Sequence, residues 1–125
     1  MRFLLALAAM TAVAQASEPW PTFGNPYAFT EQGGEAIYRS VCAGCHMPEG
    51  RGAHGAATYP SLADNPRLAA SGYPVAVVLK GQKAMPPFGA SLTNEQVAAV
   101  VSYIRTHFGN SYADAPTAAD VAAGR

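Results

Sequence analysis

The residues able to do chemistry gather in one short stretch, SVCAGCHMPEG, residues 40–50, which holds both cysteines of the chain, Cys42 and Cys45, and a histidine, His46, directly after the second. Two cysteines three positions apart can close a disulfide, supply half a zinc site, or anchor a haem through two thioethers. A disulfide closing so short a loop adds little in the loop-entropy description. A thioredoxin-like redox pair normally stands beside a βαβ pattern, and the sequence contains none. Zinc takes four ligands; Cys42, Cys45 and His46 give three, with the last two adjacent and poorly placed to converge. His54 and His107 do not form a second closely spaced histidine pair. Cys42-Ala43-Gly44-Cys45-His46 matches instead the C-x-x-C-H attachment signature of haem c. Both thiols add to the vinyl groups on one side of the porphyrin, the next residue on the turn comes under the iron, and small residues at 43 and 44 let the backbone approach the ring.

A haem held by one axial histidine leaves its opposite face for a sixth ligand. Of the four methionines, Met1 and Met10 fall in the N-terminal leader described below, and Met47 adjoins His46 and cannot reach the far side of the ring. Met85 stands in KAMPPFG, a loop stiffened by successive prolines, which fix φ and offer no N–H, between two helical segments. The expected axial ligands are therefore His46 and Met85. His54, in a glycine-rich loop, and His107 are expected to be structural or solvated.

The compartment suits this chemistry. The chain opens MRFLLALAAMTAVAQASEPW: Arg2 is a short basic region, Phe3 to Val13 an apolar run, and Ala14-Gln15-Ala16 a small-x-small cleavage pattern. The run is shorter than the ~20 residues of a membrane span, so a cleaved signal peptide over 1–16 and export to the periplasm are expected, with no membrane-spanning segment. The remainder is one small domain, which a cofactor often helps to stabilise. Eight basic and eight acidic residues leave no basic stripe, which argues against a nucleic-acid partner. Ten prolines and twelve glycines imply much loop.

The positioning elements read as helices. An extended, proline- and aromatic-rich arm is expected over 17–30, followed by a helix from about Glu31 to Val41 with Thr30 as N-cap; Ile37 and Val41 share a face at i, i+4. EGRGAHGAATYP is loop. GYPVAVVLKG holds β-branched residues that also suit a strand, but Pro74 at a first helical position and Gly81 past the end favour helix. LTNEQVAAVVSYIRTHFG is the clearest helix: Thr93 and Gln96 make a capping box, Leu92 and Val97 a hydrophobic staple, and Val97, Val100, Val101, Ile104 and Phe108 one face ending at Gly109. The tail NSYADAPTAADVAAGR, 110–125, is expected to form at most one weak turn. No convincing sheet is expected.

On these residues the chain resembles the class I c-type cytochromes, from about Gly33 to Phe108, through GEAIY, CAGCH, YPSL, MPPF and LTNEQVAAVVSYIR. The resemblance implies an all-α cytochrome c fold, three to four helices around one covalently bound haem, with a cytochrome c domain over 31–109. It implies that the first and last helices cross, Gly34 and Tyr38 meeting Tyr103 and Ile104, and that the carbonyl of Pro60 accepts the N–H of His46, fixing the ring. Within that class, MPPFGASLTNEQVAAVVSYIR and the TAADVAA tail resemble small cytochrome c subunits of bacterial periplasmic dehydrogenases, flavin, quinoprotein or molybdenum enzymes that include oxidisers of alkylphenols and alcohols. The expected function is electron transfer without side-chain catalysis: electrons arrive from such a dehydrogenase and leave to a downstream cytochrome, copper protein or oxidase of the respiratory chain. Val41, Ala43, Met47, Met85, Pro86, Pro87 and Phe88, with Lys80 and Lys83 nearby, are the expected docking edge. The alternative is a haem-based enzyme or gas-binding module with a labile sixth ligand.

Overall fold

In the computed structural model, residues 28–125 are described. The expected signal peptide and nearly all of the expected N-terminal arm lie outside these residues. Helix α1 (Gly34–Ile37) passes without a break into a π-helical stretch (Tyr38–Cys42) and then helix α2 (Ala43–His46). Helix α3 (Gly72–Lys80), helix α4 (Asn94–Thr106) and helix α5 (Ala118–Ala123) complete the set, with a short 3-10 turn at Pro66–Leu68. The one ladder among the described residues pairs strand β1 (Ala53–His54) antiparallel with strand β2 (Thr58–Tyr59). It is a two-residue hairpin inside the expected glycine-rich loop, and the architecture is all-α.

The first helix differs at both ends from the sequence expectation. Its N-cap is Gly33, at φ 84°, and not Thr30. That backbone conformation is open to glycine at no steric cost, so the chain enters the helix only there. At the other end the π-helical stretch adds a residue to the turn and carries the helix past Val41 to His46. π-Bulges are found frequently at functional sites, and here one holds the first cysteine. In α3, Pro74 lies in the first turn, two residues after the opening Gly72, and Gly81 caps the end at φ 73°. Helix α4 begins as expected, with the Thr93–Gln96 capping box complete in both directions. It ends at Thr106 rather than Gly109, because Phe108 (φ 60°) and Gly109 (φ 83°) both turn left-handed.

The core is the seam where the first helix and α4 cross, closed by α3. Ile37, Tyr38, Val97, Val100, Val101 and Ile104 are at most 5 % exposed, and Val75, Val78, Leu79, Leu68 and Leu92 pack around them. Close crossing depends on Gly34. A Cβ there would fall 2.6 Å from Tyr103 Cβ and still nearer the Ala99 carbonyl oxygen. Tyr38 meets Tyr103 with ring centroids 5.6 Å apart. Gly34→Ala is therefore expected to destabilise by about 1–3 kcal/mol through overpacking, against the gain that alanine gives in a free helix. Urea denaturation would show this as a lower midpoint, and a raised midpoint would refute it.

The tail is more firmly built than expected. Thr117 and Asp120 make a second complete capping box for α5, and Val121 is fully buried in the core cluster. One apolar residue in a good helix start suffices to dock an otherwise alanine-rich segment.

Candidate functional site

Helix position sets the geometry of the thiol pair. Cys42 ends the π-helical stretch and Cys45 lies in the last turn of α2; both are free thiols, Cys42 half-buried against the core and Cys45 exposed. Burial pushes the Cys42 thiol up to about 12, with the neighbouring Cys45 adding to the shift. Thiol-exchange centres lower this value, so Cys42 has the character of a protected apolar thiol. Among the described residues no three His, Cys, Asp or Glu side chains group into a cluster able to hold a metal ion.

His46 is 8 % exposed. Its Nδ1 lies 2.9 Å from the carbonyl oxygen of Pro60. A carbonyl only accepts, so this contact requires the proton on Nδ1 and leaves a lone pair on Nε2. Nε2 has no hydrogen-bond partner among the described residues.

Two features bring Pro60 to the ring. Gly52, at φ 67°, lets the β1–β2 hairpin fold over the end of α2: a Cβ there would meet the Pro60 carbonyl carbon at 2.8 Å and oxygen at 2.9 Å. The Gly52 amide in turn donates to His46 O at 3.0 Å. Downstream, buried Asn110 accepts from the Asn65 amide at 2.9 Å and donates to Leu62 O and Ile104 O at 2.7 and 2.8 Å. It ties the segment that follows Pro60 to the end of α4. Sequence reading passed over Asn110, because an asparagine after a helix carries only a turn signal.

Met47 caps α2 at φ 65°, and its carbonyl accepts from the Tyr38 hydroxyl at 2.6 Å. Burial pushes that phenol up to about 12. Tyr38 thereby fastens the turn that follows His46 to the helix crossing.

Met85 is half-buried and packs against the core cluster. Its backbone makes a two-way pairing with Gln82, both bonds 3.0 Å, which closes the loop after α3 into a tight turn. The Phe88 amide then donates to Val78 O at 2.9 Å and Gly89 to Leu79 O at 3.2 Å. The loop is thus laid back along α3. Of the rival histidines, His54 is exposed on β1, while His107 stacks on Tyr103 at 4.0 Å and bonds Tyr103 O through Nδ1 at 2.9 Å.

Gln96 serves twice. While its Oε1 caps α4, its Nε2 donates to Phe29 O and Glu31 O at 2.8 and 2.9 Å, fixing the approach to the first helix. Phe29 is held beside Phe88, with centroids 6.4 Å apart. No helix among the described residues is long and apolar enough to cross a membrane.

Residues 30–104 match the protein-family model described as cytochrome c oxidase, cbb3-type, subunit III. The fructose dehydrogenase cytochrome subunit of Gluconobacter japonicus is 35 % identical over 95 residues, covering 64 % of this chain and 19 % of that protein. The cytochrome c subunits of the quinone alcohol dehydrogenases of Gluconacetobacter polyoxogenes and Komagataeibacter europaeus are each 36 % identical over 101 residues, covering 70 % of this chain and 21 % of those proteins. The chain spans about a fifth of the length of these relatives. With the match running from Thr30 through the cysteine pair and Met85 to Ile104 in α4, the chain belongs to the family of cytochromes described as cytochrome c oxidase, cbb3-type, subunit III, and is similar to the cytochrome subunits of sugar and alcohol dehydrogenases.

Proposed function

We propose that this protein is a periplasmic electron-transfer cytochrome with a cytochrome c fold over 31–109, exported by a signal peptide at 1–16 and carrying one haem c. The observation that carries the reading is His46: a buried imidazole at the end of the helix that bears both thiols, Nδ1 tied to a carbonyl and Nε2 unpaired among the described residues. The donor set fits the group. Cys42 and Cys45 are unbridged and would hold it by thioethers; His46 Nε2 and the Met85 thioether would hold its iron. Such a haem supplies a one-electron couple, and the thioether raises its potential.

The side chains bind, orient and shield. Pro60 O keeps the His46 proton on Nδ1 and makes the imidazole a better donor. Val41, Ala43, Phe88 and Met85 pack against the core while Pro86, Pro87, Lys80 and Lys83 are exposed; in this reading they form, with Met47, the edge at which a partner docks. With His46 and Met85 both holding the iron, no position on it would be left for a substrate, and the protein would act as a relay rather than an enzyme. The relatives, cytochrome subunits of a fructose dehydrogenase and of quinone alcohol dehydrogenases, support a dehydrogenase as electron donor; in this reading it is a periplasmic flavin, quinoprotein or molybdenum enzyme, with a cytochrome, copper protein or oxidase of the respiratory chain as acceptor.

The test is production of the full chain in a bacterial periplasm equipped to attach haem c, followed by intact mass and the alkaline pyridine spectrum. One haem per chain is expected, lost when Cys42 and Cys45 are both replaced by alanine. A colourless protein with two unmodified cysteines would overturn the reading.

A further inference from the structure

The loop that carries Met85 is held from outside by a residue far along the chain. Beyond its own hydrogen bonds to α3, two of its carbonyls point to one guanidinium. Arg125 Nη1 donates to Gly89 O, Nη2 to Leu92 O at 2.9 Å, and Nε to Asn94 Oδ1 at 2.6 Å. All three acceptors are neutral oxygens, two of them backbone carbonyls, so the hydrogen bonds of this cation hold the chain. Charge-assisted bonds of this kind are roughly twice as strong as neutral ones. The nearby Glu95 carboxyl is kept below its usual value by hydrogen bonds from its own backbone amide and Thr93, and the Arg125 charge adds to the effect.

The support behind Arg125 is rigid. α5 is started by its capping box, anchored by fully buried Val121, and seated so that Gly124 faces Leu79 and Val75 of α3. Helix α5 thus packs mainly on α4, while its C-cap, next to Arg125, lies against the helix from which the Met85 loop departs. On the loop's other flank, Phe29 lies beside Phe88 and its amide donates to Ser91 O at 3.2 Å.

We infer that Arg125 is a positioning residue for Met85: by gripping Gly89 and Leu92 it keeps the loop closed, and so sets how readily the thioether leaves the iron. This rests on the ligation by Met85 proposed above. An outside ligand replaces Met85 only in the open state, so its apparent affinity rises in proportion to the fraction of open loop.

The experiment uses the haem-loaded full chain in four forms, wild type, Arg125→Ala, Arg125→Lys and Asp114→Ala. Imidazole is titrated into the oxidised protein while the near-infrared sulfur-to-iron band is followed, and amide exchange of Phe88, Gly89 and Leu92 is measured in parallel. Arg125→Ala is expected to bind imidazole about tenfold more tightly, equivalent to about 1.4 kcal/mol, with faster exchange at the three amides. Arg125→Lys should recover part of the difference. Asp114→Ala, which removes an exposed carboxylate on the chain leading to α5 while keeping the Arg105 bond to the backbone there and the α5 capping box, should leave both readouts at the wild-type level. Unchanged affinity and exchange in Arg125→Ala, or an equal change in Asp114→Ala, would overturn the inference alone. A haem-loaded wild type without the band would overturn ligation by Met85, and the inference with it.

Discussion

Replacing Arg105 by methionine is expected to destabilise the protein by about 3–5 kcal/mol, a large share of the roughly 5–15 kcal/mol that holds a domain folded. Arg105 is fully buried near the end of α4. Its Nε donates to Leu68 O and its Nη2 to Ala69 O, both at 2.8 Å; Nη2 also reaches Asp114 Oδ1 at 2.7 Å, and Nη1 bonds the Asp114 carbonyl. The Tyr112 ring covers the guanidinium at 5.7 Å. One side chain thus joins the 3-10 turn, the last long helix and the chain leading to α5. Methionine has similar length but no donor, and each carbonyl left unpaired in a buried setting costs about 1–3 kcal/mol. Urea unfolding in a fixed haem state measures the loss; a change under about 1 kcal/mol would show that water replaces the guanidinium without cost.

The carboxylate partner behaves differently. The Arg105 hydrogen bond holds the Asp114 carboxyl below its usual value, and the Arg105 charge adds to the effect. A lowered folded value means the contribution is complete at neutral pH and is lost as the pH falls through that value and the carboxyl takes up a proton. The Asp114 side chain is largely solvent-exposed, so screening keeps the contribution small. Asp114→Ala should therefore cost far less than Arg105→Met.

Arg105, Asn110 and Arg125 share the reason that sequence reading passed over them. Each donates most of its hydrogen bonds to backbone carbonyls, and these partners include residues of other elements: Leu68 and Ala69 for Arg105, Leu62 for Asn110, Gly89 and Leu92 for Arg125. A carbonyl has no residue-type signature, so neither partner announces the other. The Thr93–Gln96 capping box was legible because both halves stand three residues apart and have side chains of recognisable type. The Thr117–Asp120 box obeys the same rule with aspartate in the third position, and its importance comes from Val121, whose burial is a tertiary fact. The C-x-x-C-H run could be read from identity and spacing alone. Gly34 was legible through the family resemblance, which set it against Tyr103 and Ile104, and the structure has its bare backbone admitting α4 there; the turn that Gly33 makes into the helix, where Thr30 was expected as the cap, was not. The π-helical stretch was illegible for another reason: one added residue in a turn changes no side-chain type, only the register in which Cys42 is presented.

Met85→His in the haem-loaded protein is expected to lower the midpoint potential by on the order of 0.1–0.3 V, within the ~0.8 V that axial ligands span. The thioether raises the potential by favouring the reduced iron, and imidazole removes that preference. The backbone at 85 is fixed from both sides, by the paired bonds to Gln82 and by the Phe88 and Gly89 amides on α3. A new side chain at this position therefore departs from the same point, and the effect reports the ligand rather than a displaced loop. Met47 provides the comparison. It follows His46 directly, at the cap of α2, so Met47→Leu should leave the potential near the wild-type value. Spectroelectrochemical titration of the three proteins decides the matter, with the near-infrared sulfur-to-iron band recorded for each. Loss of the band and a lower potential only in Met85→His would identify the sixth ligand. An unchanged potential in Met85→His, or carbon monoxide binding rapidly to the reduced wild type, would remove Met85 from the iron and turn the relay into a protein with an open coordination site.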